Sequence, residues 1–415
     1  MTAPTLPSSA QLKIELMFDG IRYSDSLGAA AEHAFPNFYP YRFRPGEPNP
    51  TGNDKVTIPY LMTLPDETLI RVKGTADAPW QVMGDALSGY RLRHDDGREL
   101  PVAFTPLPHW MREQTSDGLP MAQAGVSLHG DMAIINIAPG CEYFLNRGDN
   151  GDSLRCTFCA YGAPNERIKH YEQRIEQAEL SPVAIQRMQE TLRAALDEGG
   201  IRHLYLVGGS MKDWSLEGDR YLALAQAVQQ VNGHRLPVSC GSGALPADRL
   251  ERLQGEGLVD QVCFNLEVWS APLFAKVCPG KARFVGYERW LQALDQAVAL
   301  WGKGRVYSAM VAGIELEPEH EMGWDEAASL AIEGADKLCE RGVLPVYSLY
   351  WPTGGRDHPD YFDRLHHYFE RLNIDYAAIR RQRGLKISSD FMCHCCAYMQ
   401  LECDIDRGVK EPIDD

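Results

Sequence analysis

Residues 132–141 read Met-Ala-Ile-Ile-Asn-Ile-Ala-Pro-Gly-Cys, and after fourteen intervening residues the chain continues Cys156-Thr157-Phe158-Cys159. A short, almost unbroken apolar run is what a strand needs when both faces of its sheet are covered, as in a parallel sheet flanked by helices. Proline and glycine then punctuate the run and deliver Cys141 to the loop that follows.

The same signature recurs downstream in His203–Val207, Leu236–Cys240, Gln261–Leu266, Val306–Val311 and Val343–Leu349, with helical segments between them. Ser181-Pro182, for instance, supplies a capping hydroxyl and a first-turn proline to an amphipathic helix ending at Gly199-Gly200. Strict alternation of strand and helix implies a parallel sheet with helical crossovers. The six units predict an α/β fold, a partial (β/α)6 TIM-like barrel over 131–352, with functional residues just beyond the carboxyl ends of the strands.

Upstream, residues 1–130 are expected to form a small β-rich module. Val56–Ile58, Thr68–Val72 and Tyr90–Arg93 are short β-branched segments, and Asp96-Gly97 is a hairpin turn signal. The stretch Phe35–Thr51 is rich in aromatics, proline and arginine and indicates no element. Residues 353–415 form a cysteine-rich extension. The N-terminal module and this extension are expected to close the barrel mouth.

The chain has 415 residues, 44% hydrophobic and 24% charged, with a formal net charge of −16. That balance makes nucleic acid an unlikely partner. The first ten residues lack the basic and apolar regions of a secretion signal, and no run is long enough to span a bilayer, so a cytoplasmic location and no membrane partner are expected. Eleven cysteines in such a compartment point to metal ligands, reactive thiols and packing rather than to disulfides. Cys240, Cys263, Cys278 and Cys339 lie singly among apolar neighbours and read as packing residues.

Three thiolates on one loop can bind three irons of a [4Fe-4S] cube and leave the fourth open to a ligand. Residues 142–155 contain Gly and Asp turn formers that would let the loop bring Cys141 back to Cys156 and Cys159. Zinc is the other ion that a CxxC pair suits, but a closed structural site takes four ligands, and no further CxxC or HxxxH follows nearby.

The pattern resembles the radical SAM (S-adenosylmethionine) superfamily, in which three cysteines follow the first barrel strand and an aromatic residue precedes the last. The usual first gap is three residues, so Cx14Cx2C is a variant. The resemblance implies that Cys141, Cys156 and Cys159 hold a [4Fe-4S] cluster that binds SAM, with Phe158 beside it. It also implies that Gly208-Gly209-Ser210, after the second strand, replace the family's Gly-Gly-acid turn at the SAM amino group. Alternation puts Asn265 and Glu267 on one face, where their spacing resembles the ribose-binding pair of biotin synthases. Arg289 corresponds to an arginine for the SAM carboxylate, and Val311 lies in the segment beside the adenine. The activity implied is reductive cleavage of SAM to methionine and a 5′-deoxyadenosyl radical that takes hydrogen from a substrate. A small molecule in a biosynthetic pathway is the expected substrate, and flavodoxin or ferredoxin the expected reductant.

Cys393, Cys395, Cys396 and Cys403 lie within eleven residues of one another, with His394 among them. They suit a second metal or cluster, a hydrogen-atom-donating thiol, or packing. An auxiliary cluster there would fit a peptide- or protein-modifying enzyme. A non-catalytic iron-sulfur or zinc protein is the reading from another class. His203, at a strand start, and His366 and His367, on a helix, read as structural residues.

Overall fold

The structure is a computed structural model, and it describes residues 6–24, 27–28, 34–42, 55–75, 77–137, 140–145, 147–159, 180–350 and 360–408. Ala138-Pro139 and residues 43–51 of the aromatic stretch lie outside the described residues.

The amino-terminal region is built of small antiparallel pieces. β1 (Phe38–Arg42) pairs with β2 (Lys55–Pro59), and β3 (Leu61–Thr63) with β4 (Leu69–Arg71). β5 (Trp80–Asp85), β6 (Gly89–His94) and β7 (Glu99–Val102) form a meander. The Asp96-Gly97 turn joins β6 to β7, with Gly97 at φ 97° and its N–H donating to the His94 carbonyl.

The main sheet has seven strands in sequential order, β8 (Val126–His129), β9 (Met132–Ile135), β10 (His203–Val207), β11 (Val238–Ser242), β12 (Gln261–Phe264), β13 (Val306–Ala312) and β14 (Val343–Leu349). β9 to β14 are parallel, in the expected order. Helices cover the outer face, and the Ser181 hydroxyl caps the helix Pro182–Glu198 by accepting from the Ala184 N–H. β8 is an addition that the sequence did not signal. It runs antiparallel to β9 through the two-residue turn Gly130-Asp131, with Gly130 at φ 58° as a primed hairpin turn demands.

Strand limits shift where side chains capture the backbone. Asn232 takes both the N–H and the carbonyl of Leu236, so β11 begins at Val238 rather than at Leu236. β12 stops at Phe264 because the Leu266 N–H is held by the Ser308 hydroxyl instead of a ladder carbonyl.

Among its described residues, the carboxyl-terminal extension reaches both ends of the strands, since Tyr368 donates to Glu315 beyond the end of β13. After the helix Tyr361–Arg383, residues 385–397 cross the opposite opening. There Ile387, Phe391, Met392 and Cys396 pack against Met132, Tyr307 and Leu344, which lie at strand starts. Phe391 stacks on Tyr307 at 3.7 Å and meets the Tyr205 ring edge-on. The floor segment also joins the amino-terminal region, since β4 donates from Leu69 and Arg71 to the carbonyls of His394 and Tyr398. Lys13, in the helix Ser8–Asp19, forms a fully buried ion pair with Asp404 at 2.8 Å. At the outer edge of the sheet, Tyr376 donates to the Pro345 carbonyl and Glu402 accepts the Tyr347 N–H.

Phe391 fills the floor with a large apolar surface, so Phe391→Ala is expected to lower unfolding free energy in urea by about 3 kcal/mol. An unchanged transition midpoint would show that the floor contributes little to the barrel.

Candidate active site

Cys141 leaves β9 and enters a short helical turn, Glu142–Leu145, fastened to the end of β10. The Glu142 N–H donates to the Ser210 carbonyl at 2.9 Å, and the Glu142 carboxylate accepts the Lys212 N–H at 2.6 Å. The two loops touch through their backbones. A Cβ on Gly209 would stand 1.8 Å from the Gly140 carbonyl oxygen, so this glycine is required for close packing against the cysteine loop. Backbone N–H groups of Tyr143 and Ser210 reach the Cys141 sulfur, while burial pushes its thiol up to about 11.

The residues between the cysteines loop out as their turn formers suggest, with Gly148 donating to Asp152 and Gly151 to Gly148. The chain then returns along residues 277–280, where Thr157 donates to the Val277 carbonyl and Leu154 accepts from Gly280. Cys156 is thereby buried close enough to Cys141 for their charges to interact. Cys159 follows within one turn, its N–H on the Cys156 carbonyl, and Phe158 packs half-buried against the core. Among the described residues, the groups compact enough for one ion do not include these three thiols. A donor set of three thiols is of the kind a cubane takes, which spreads its thiolates over separate irons.

Cys278, read from sequence as a packing residue, lies at this site. Its thiol hydrogen-bonds to Cys156 and holds that group below the ordinary thiol range, with the Lys281 charge acting in the same direction against burial. Lys281 is a site residue that the sequence did not disclose. Its ammonium donates to Glu267 and to the Asn265 carbonyl, both at 2.6 Å, and lies 4.7 Å from the Trp290 ring centre. Glu267 has φ 72°, and the Val268 N–H closes a tight turn on the Leu266 carbonyl. The strand alternation that put Asn265 and Glu267 on one face therefore does not extend past Phe264. Such strain in a non-glycine residue is held in place by its surroundings, here the Lys281 bond and the Val311 N–H on the Glu267 carbonyl at 2.8 Å.

A second buried acid, Glu217, joins two strand ends by accepting the N–H groups of Met211 and Gly243. Arg220 donates to the Gly209 carbonyl at 3.1 Å. Arg289 is exposed, with its guanidinium 4.7 Å from the Trp214 ring centre, and Val311 lies half-buried on β13. Gly208 and Ser210 flank the Gly209 contact. Glu217, Arg220 and Lys281 are visible only through tertiary contacts, since an acid or a base in the first turns of a helix reads as ordinary helix chemistry.

The four C-terminal thiols are elsewhere. Cys393 and Cys396 lie 3.9 Å apart near the starts of β9 and β10. Cys395 turns toward His394 and Glu67, and Cys403 toward the Met392 carbonyl. None is at the carboxyl ends of the strands, so this structure gives them no access to a substrate radical at the mouth.

Two predictions follow from this packing. Gly209→Ala should displace Cys141, lowering thermal stability and iron uptake together, and unchanged values of both would remove the close-approach argument. Burial raises Glu315, beyond the end of β13, to about 7 even though Tyr368 and Gly313 donate to it. The folded state then holds a proton that the unfolded chain gives up. Glu315 thus contributes stability below the ordinary carboxylate range, and this is lost as pH rises to about 7. Glu315→Gln should flatten the pH dependence of stability between pH 4.5 and 7, measured by urea unfolding.

No protein-family model matches the chain. It is 25% identical over 305 residues to bacteriochlorophyllide c C-7(1)-hydroxylase of Chlorobaculum limnaeum, covering 70% of this chain and 69% of that one. Solved structures with a similar course include a radical SAM methyltransferase from Sphaerobacter thermophilus, at 14% identity and a TM-score of 0.37, covering 75% of this chain and 76% of that one. SuiB of Streptococcus suis, also solved with S-adenosylmethionine bound, aligns at 15% identity and a TM-score of 0.39. The alignment covers 66% of this chain and 52% of SuiB, or 64% and 51% for the bound form. In sequence, then, the chain is similar over 305 residues to a protein named as a hydroxylase.

Proposed function

We propose that this chain is a radical SAM enzyme acting on a small molecule. One observation carries the proposal: the loop leaving the first parallel strand holds Cys141 against the Gly208-Gly209-Ser210 turn and brings Cys156 back beside it. This is the carboxyl-end face on which barrels of this kind do their chemistry.

In this reading Cys141, Cys156 and Cys159 hold a [4Fe-4S] cluster. Reduction of the bound cluster would supply the electron that breaks a carbon–sulfur bond of SAM, giving methionine and a 5′-deoxyadenosyl radical, which takes a hydrogen atom from the substrate and becomes 5′-deoxyadenosine. The chain's own residues position and shield. Lys281 balances the charge of Glu267 and of the Cys156 thiolate in a buried setting, where an unpaired charge would be costly. Glu217 and Arg220 keep the ends of β10 and β11 in fixed relation to the cysteine loop. Ser210, Asn265, Glu267, Arg289 and Val311 are assigned to SAM by the family resemblance, with Lys281 added as the residue that orients Glu267. A flavodoxin or ferredoxin would deliver the electron.

Similarity to a hydroxylase named for one carbon of a bacteriochlorophyllide supports chemistry at a C–H bond of a small molecule. Cys393 and Cys396 lie with Asp131 and His203 at the strand starts, which favours the small-molecule reading over a peptide-modifying one with a C-terminal auxiliary cluster.

The test is anaerobic purification, reconstitution with iron and sulfide, reduction with dithionite and addition of SAM, followed by mass spectrometry for 5′-deoxyadenosine. Wild type is expected to form it and Cys156→Ala to form none. A fully loaded wild type that yields none, and whose cluster spectrum ignores SAM, would leave an electron carrier or a structural iron-sulfur protein as the answer.

A further inference from the structure

At the other end of the barrel, four residues from three separate parts of the chain converge. Asp131 occupies the β8–β9 turn, His203 opens β10, and Cys393 and Cys396 come from the floor segment. Their ligand atoms all lie within 4.8 Å of one another. We propose that Asp131, His203, Cys393 and Cys396 form a four-coordinate structural zinc site that fastens the floor segment to the first two parallel strands.

The separations are those of a tetrahedron's edges. Zinc–sulfur and zinc–nitrogen bonds of about 2.3 and 2.0 Å place tetrahedral ligands roughly 3.3–3.8 Å apart. Here Cys393 Sγ is 3.9 Å from Cys396 Sγ, 3.4 Å from His203 Nε2 and 3.1 Å from Asp131 Oδ2. His203 Nε2 is 3.7 Å from Asp131 Oδ1.

A second observation concerns the imidazole. His203 Nδ1 is 3.2 Å from the Asp390 carbonyl, which can only accept, so Nδ1 carries a proton and Nε2, facing the sulfurs and the carboxylate, is the nitrogen available to a metal. Fixing the tautomer through the outer nitrogen is how proteins orient a metal-binding histidine. A doubly protonated ring bonded directly to Asp131 would be the simpler arrangement, but 3.7 Å is too long for that hydrogen bond. His203 is 3% exposed and Cys396 1%, so lone pairs and anionic groups converge here with little water to separate them. Without a metal, Asp131 has the largely exposed Arg202 at 3.9 Å, His203 at 3.7 Å and the thiol hydrogen bond of Cys393 at 3.1 Å. A dication at the centre satisfies all four groups at once.

The chain also makes room for the turn between the two thiols. A Cβ on Gly130 would lie 1.6 Å from the Cys395 carbonyl oxygen, so the residue before Asp131 has to be glycine for the Cys393–Cys396 turn to dock. That turn has CxxC spacing, with Cys396 donating to the Cys393 carbonyl and the Cys393 N–H to the Cys396 sulfur. Cys395 and Cys403 are outside the set, as is the neighbouring group of Glu67, His394 and Cys395, whose glutamate is exposed.

The experiment is metal analysis of the full chain purified from zinc-supplemented medium without iron-sulfide reconstitution. One zinc per chain is expected, both in wild type and in a Cys141→Ser, Cys156→Ser, Cys159→Ser triple variant. Cys393→Ser and His203→Gln should lose at least tenfold in bound zinc, and Cys395→Ser should keep it. Because the first two variants could fail to fold, wild type stripped of metal is also titrated with cobalt(II). A thiolate-to-cobalt band with the visible spectrum of a tetrahedral ion is the expected result. A wild type that holds no stoichiometric zinc and gives no such band would overturn the proposal, as would zinc retained by folded Cys393→Ser. The triple variant separates this outcome from failure of the radical SAM reading, which depends on the other three cysteines.

Discussion

Parallel pairing of β9 to β14 is the constraint on which everything else rests. A parallel strand can be followed by another only if the chain crosses back over the sheet, and helices make each crossing here. The crossings collect all the carboxyl ends of the strands on one face and all the amino ends on the other. Cys141, Gly209, Glu267 and Glu315 meet on the first face for this reason, and Asp131 and His203 on the second. Residues scattered from Cys141 to Glu315 thereby share one opening.

The fold was legible because its signal is local. Apolar runs such as Met132–Ile135 and Val343–Leu349 announce buried strands wherever they stand, and the Ser181-Pro182 cap marks a helix start without tertiary help. β8 was missed because Val126–His129 is an edge strand of four residues, burying alternate side chains and signalled by a single turn glycine. At the site the cysteine loop was legible, since turn formers between Cys141 and Cys156 permit the excursion that the structure contains. Lys281, Glu217 and Cys278 were not, because nothing in their neighbours' identities says which loop they will face. Alternation misled at Glu267, since it holds only while the chain stays extended and a positive φ there breaks it. His203 was set aside as a strand-start residue, and its partners Cys393 and Cys396 come from about 190 positions further on.

Buried charge is concentrated where the chain has to be rigid. Lys281–Glu267 lies beneath the cysteine loop and Lys13–Asp404 beneath the floor segment, both almost entirely out of water. Such pairs add little net stability over an apolar core of the same volume, but each fixes an orientation that hydrophobic contact leaves free. At Glu267 the result is a strained backbone turn near Cys156, with its carboxylate held by the Lys281 ammonium and its carbonyl by the Val311 N–H.

A sheet that does not close into a full barrel keeps two free borders, and an uncovered border is a template for strands of other molecules. The β14 border is occupied from within. Pro345 has no N–H to offer, the Tyr376 hydroxyl takes its carbonyl, and the Glu402 carboxylate takes the Tyr347 N–H. The helices that supply Tyr376 and Glu402 thus protect the β14 border of the sheet against intermolecular strand addition.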